Sequence, residues 1–145
     1  MKQTGNIEQC LKQLGFAVVP TKGTSMWPLL IEGKCRVKIT AAEGKMLKKG
    51  DIVLYRRTDG TLVLHRIMKI EEDGFRVCGD HQWKPEERVK DEQILAVALV
   101  FSRNGHSFGE HTWWYRLYKR FWNGNLTVRR CCLAFLRLSG LENKS

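Results

Sequence analysis

The chain has 145 residues, of which 43% are hydrophobic and 28% charged, with a formal net charge of +10. That length and balance exclude wholesale disorder and allow a core without disulfides or metals. The charge is uneven, because residues 111–145 carry seven Lys or Arg against one acid, Glu142. A basic tail of this kind points to an anionic surface: lipid, nucleic acid or an acidic partner.

In chain order, Asn6 to Leu14 is predicted as a short amphipathic helix, with Ile7, Leu11 and Leu14 at helical spacing and Gly15 as its stop. Phe16 to Val19 reads as a strand halted by Pro20, and residues 21–28 as a loop rich in Gly, Thr, Ser and Pro. Cys35 to Thr40 alternates as a strand does. Gly50-Asp51 is a turn before a β-rich run, Ile52 to Arg57. Asp59-Gly60 is a hairpin signal between that run and Leu62 to Ile70. Asp73-Gly74 leads into Phe75 to Cys78, and Asn104-Gly105 follows the long apolar strand Ile94 to Ser102. The expected fold is mainly β, a sandwich or partly open barrel over residues 1–108. Residues 109–145 are expected to form a basic, aromatic tail of two amphipathic helices, separated near Gly124.

Five cysteines, with no C-x-x-C pair, indicate neither a disulfide framework nor a zinc site. They are read as reduced thiols, and no metal or other cofactor is implied. No signal peptide opens the chain, and no run reaches the ~18 apolar residues a bilayer span needs. The expected location is cytoplasmic or peripheral to a membrane.

Four short motifs carry the chemistry. They are Gly23-Thr24-Ser25-Met26-Trp27-Pro28, Gly50-Asp51-Ile52-Val53, Leu64-His65-Arg66-Ile67 and Gly79-Asp80. Taken singly, a Ser in a Gly-Thr-Ser loop is turn chemistry and a His on a strand is structural. Their order and spacing resemble the boxes of signal peptidase I, within the superfamily that includes LexA-type repressor proteases. The resemblance covers roughly residues 20–100 and implies a β-rich serine peptidase domain. The family's base is usually lysine, but in its endoplasmic-reticulum type it is histidine, and the matching position here is His65.

The chemistry fits that assignment. A serine hydroxyl is a weak nucleophile until a neighbouring base takes its proton. Histidine, with an ordinary pKa of ~6.5, does so near neutrality with little tuning. The expected roles are therefore Ser25 as nucleophile and His65 as base. The backbone N–H of Ser25 is the candidate oxyanion donor, and Gly23, Thr24, Met26 and Pro28 shape the loop and substrate pocket. For the acid that orients the base, Asp80 is the candidate. The family's acid lies beyond that pair, where this chain has Lys84-Pro85-Glu86-Glu87-Arg88, so Glu86 as substitute, or a dyad, stays open. A second departure is Gly23, where many family members place a serine hydroxyl.

The implied activity is hydrolysis of a peptide bond in a signal- or leader-type substrate, through an acyl-enzyme. The alternatives are a non-catalytic or partner-completed peptide-binding module and a LexA-like regulatory protease. The last needs a helix-turn-helix, and the stretch before Ser25 is too short for one. For the tail, Trp and Tyr beside Lys and Arg suit either docking on the β domain or an interfacial helix on a membrane. Nucleic acid is disfavoured, since no recognition motif accompanies the basic residues.

Overall fold

The computed structural model describes residues 2–140. Helix α1 (Lys2–Leu14) begins ahead of the predicted Asn6 and ends at Gly15, whose φ of 74° lets its N–H reach the Leu11 carbonyl at 3.0 Å. Strands β1 (Phe16–Pro20), β2 (Cys35–Ala41), β3 (Ile52–Arg56), β4 (Leu62–Glu71), β5 (Gly74–Cys78), β6 (Glu86–Val89), β7 (Ile94–Arg103) and β8 (His106–Gly109) follow. They form one antiparallel, curled sheet in the order β1-β2-β7-β3-β4-β5-β6, with β8 paired to β7. Helices α2 (Trp113–Trp122) and α3 (Leu126–Leu138) close the described chain.

Period-2 patterning explains the layers. On β2, Cys35, Val37 and Ile39 face the core while Arg36 and Lys38 face out. The central strand β3 is buried on both faces. Ile52 and Leu54 join the larger core under α1 and the loop of residues 21–34; Val53 and Tyr55 join a second core with Ile67, Val77 and Ile94. The β7–β8 hairpin turns on Asn104 and Gly105, both at positive φ (50° and 81°), as a two-residue turn of that hand requires. β6 escapes sequence patterning: Glu86 to Val89 holds a single apolar residue, and its backbone is recruited by pairing with β5.

The tail lies against the β domain. Tyr115 enters the larger core, while Trp122 and Leu133 form a third cluster with Trp27 of the Ser25 loop. The Asn125 side chain caps α3 by accepting from Thr127 N–H at 2.8 Å. Among the described residues, no helix is long and apolar enough to cross a membrane.

Candidate active site

His65 sits on β4 opposite Val53 of β3, and sheet periodicity puts Tyr55, Val63, His65 and Ile67 on one face. Its side chain is 1% exposed. On the Nδ1 side, Tyr55 Oη lies 3.2 Å away and Glu86 Oε1 3.6 Å away. Tyr55 Oη donates to Glu86 Oε2 at 2.8 Å, and Arg57 grips the same carboxylate through Nε at 3.0 Å and through Nη2.

These contacts select the tautomer. A phenol has one proton, and that of Tyr55 is committed to Glu86. Its oxygen therefore presents lone pairs to His65, so Nδ1 carries the imidazole hydrogen and donates. Nε2 is left with its lone pair, as a base requires. Burial, then the hydrogen bond to Glu86, pushes the Tyr55 phenol well above its ordinary pKa and keeps it protonated. Burial works to raise the Glu86 pKa, but hydrogen bonds from Arg57 and Tyr55 outweigh it and hold the group below the usual carboxylate range.

Burial pushes His65 down to about 4, against an opposing pull from Glu86. The imidazole is thus neutral at pH 7, and the 3.6 Å approach of Glu86 is not an ion pair there. Stability follows with a definite sign. The unfolded chain takes up this proton near pH 6.5 and the folded one only near pH 4, so folding free energy is lost as pH falls across that interval. The whole loss approaches about 3 kcal/mol. A pH-resolved NMR titration of the His65 ring, with urea unfolding at matched pH, should find the folded midpoint near 4. A midpoint at the ordinary histidine value would contradict it.

The Nε2 side faces the Ser25 loop across Gly79. A Cβ at Gly79 would run into the Ser25 carbonyl oxygen and lie 3.1 Å from His65 Nε2, so only glycine fits between the Ser25 loop and the imidazole. The Ser25 carbonyl also accepts from His81 N–H at 2.9 Å, which ties the Ser25 loop to the turn after β5. Ser25 itself is half-buried, and no hydrogen bond joins its hydroxyl to Nε2. Such bonds are often long in unliganded sites and tighten with substrate.

The other motifs meet behind this point. Arg66, fully buried, donates to Asp80 through Nε at 2.8 Å and Nη2 at 2.7 Å, and to the Gly50 carbonyl at 3.0 Å. Tyr118 Oη of α2 donates to Asp80 at 3.0 Å, and Trp122 Nε1 donates to the Asp80 carbonyl at 2.9 Å. Arg129 of α3 reaches the carbonyls of Gly79 at 3.1 Å and Gln82 at 3.2 Å. Asp51 accepts from Lys119 of α2 at 3.2 Å. The tail thus braces the site's own turn.

Two expectations need correction. The carboxylate beside the imidazole is Glu86, which Tyr55 also bonds; Asp80 is instead bound to Arg66 and Tyr118. Met26 does not line an open pocket, since its side chain is buried in the core beside Leu29 and Leu30. Gly23 and Thr24 are exposed, Gly23 at a φ of 77°, and the Pro28 carbonyl accepts from Arg103 at 3.2 Å. Tyr55 was missed because it stands in an apolar run and reads as core. The hairpin at Asp59-Gly60 held the signal, since its register sets Tyr55 against Val63, on the face that carries His65. Comparison with known proteins finds no counterpart: no family model, no curated protein and no solved structure matches this chain.

Proposed function

We propose that the protein is a serine endopeptidase resembling signal peptidase I, with Ser25 as nucleophile and His65 as general base. The observation that carries the reading is a buried, neutral imidazole whose Nδ1 side is fixed by Tyr55 and Glu86 while Nε2 faces the Ser25 loop. In the reaction, Ser25 Oγ attacks the substrate carbonyl carbon as its proton passes to Nε2. The carbonyl π pair moves to oxygen, where the Ser25 N–H is the donor at hand. Collapse breaks the C–N bond, and Nε2–H protonates the leaving amine. A water then repeats the sequence on the acyl-enzyme and frees Ser25. The substrate chain is extended and pairs as a strand beside the site. Glu86 stays ionised throughout and stabilises the imidazolium that forms transiently.

Incubation with extended peptides, read by mass spectrometry, tests the reading. Cleavage by the wild type but not by Ser25→Ala supports it, and no cleavage of any peptide by folded protein counts against it. The second reading, a non-catalytic peptide-binding module, draws on the missing Ser25–His65 hydrogen bond. It predicts peptide binding without turnover.

Tyr55 is the positioning residue in this scheme. Tyr55→Phe removes the acceptor for Nδ1–H and the second donor to Glu86. The expected result is a fall in kcat on the order of tenfold to a hundredfold at nearly unchanged KM. The ¹⁵N shifts of the His65 ring should lose their single-tautomer pattern. A merely structural Tyr55 would leave that pattern in place.

A further inference from the structure

The tail helices have two faces, and docking uses only one. On α2 the inward face is Tyr115, Tyr118, Lys119 and Trp122. Opposite it, Trp113, Leu117 and Phe121 follow one another at i, i+4 and i+8 and stand 70%, 60% and 55% exposed. Arg116 and Arg120 run alongside this stripe, also exposed. Helix α3 repeats the arrangement. Arg129 and Leu133 point inward and Val128, Phe135 and Leu138 outward, while the Arg130 guanidinium lies over the Trp83 ring, 5.1 Å from its centroid.

Half of the exposed large apolar side chains of the described protein lie on these two helices. Single exposed apolar residues need no explanation, but a contiguous row does. On the two helices themselves the charges are all of one sign, since residues 113–138 contain Lys and Arg and no acid. A second copy of a chain carrying +10 would bring like charges face to face. An anionic lipid surface satisfies both halves: tryptophan and other apolar side chains enter the headgroup boundary while arginines meet lipid phosphate.

We propose that the outward faces of α2 and α3 form a peripheral docking surface for anionic phospholipid bilayers, with Trp113, Leu117, Phe121 and Phe135 as the inserting side chains and Arg116 and Arg120 as headgroup contacts. This surface is independent of the peptidase reading. The inward residues Tyr118, Trp122 and Arg129 hold the helices on the turn at Gly79 and Asp80, which leaves the outward faces free of that contact.

The test is flotation of the full chain with vesicles of equal phosphatidylglycerol and phosphatidylcholine, and with phosphatidylcholine alone. Binding to the anionic vesicles, weakened by salt and accompanied by a blue shift of tryptophan emission, is expected. Leu117→Ser/Phe121→Ser should lower the partition about a hundredfold, and Arg116→Gln/Arg120→Gln on the order of twentyfold. Phe135→Ser, on the other helix, serves if the first pair does not fold, and circular dichroism reports folding for each. No flotation, or flotation that these substitutions leave unchanged, overturns the proposal. Self-association that Leu117→Ser/Phe121→Ser abolishes also overturns it, because a second copy would then own the face.

Discussion

Ser25→Ala is expected to abolish peptide cleavage, and His65→Gln to slow it by on the order of a thousandfold or more. In the proposed reaction the two residues act as one unit. Without Ser25 there is no atom to carry the acyl group, and without the imidazole the hydroxyl proton has only water to accept it. Glutamine approximates the volume of the ring between Tyr55 and Ile67, so it separates lost chemistry from a lost core. Cleavage by His65→Gln within tenfold of the wild type would remove His65 from the reaction. Rates are best compared at pH 6 to 8, where burial keeps the wild-type imidazole wholly neutral.

Asp80→Asn is expected to destabilise the fold by about 3–5 kcal/mol, measured by urea unfolding. The reason is the Arg66 guanidinium, which is fully buried with its partner. Taking two charges out of water is compensated only by their mutual attraction and by satisfied hydrogen bonds. Asp80 accepts from Arg66 twice and from Tyr118, while Arg129 stands 4.0 Å off. Neutralising Asp80 leaves two buried guanidinium groups without a counter-charge. The Gly79–Asp80 turn that separates Ser25 from His65 then loses its anchor, so activity falls along with stability. A loss below about 1 kcal/mol, the value of an exposed pair, would contradict this.

Most of the strands and both tail helices are legible in the sequence because their cues are local. Alternation on Cys35 to Thr40, the Asp59-Gly60 and Asn104-Gly105 turns and the helical spacing of the tail aromatics each fall within a few residues. The strand Glu86–Val89 has no such cue, and its pairing partner rather than its side chains makes it a strand. The same limit governs the site. Ser25 and His65 lie on motifs readable in order, but the contact of His65 with Tyr55 and Glu86 spans three strands, β3, β4 and β6, and no spacing announces it. Asp80 drew attention through its Gly-Asp pair, whose meaning is Arg66 in the adjacent motif: the Arg-Ile and Gly-Asp boxes are two halves of one buried ion pair. The tail aromatics fall at helical spacing in the sequence, and the structure divides them, Tyr118 and Trp122 inward and Trp113, Leu117 and Phe121 outward. Helical periodicity alone does not say which side of a mixed helix meets the domain.

The central claim, that Ser25 is a nucleophile activated by His65, is tested most directly by covalent mapping. Folded protein is incubated with an electrophilic acylating probe, its intact mass recorded, and the modified residue located by peptide sequencing. The account predicts a single adduct on Ser25, formed by the wild type and lost in His65→Ala. No adduct, an adduct on another residue, or one that forms on Ser25 equally fast without His65 would contradict it.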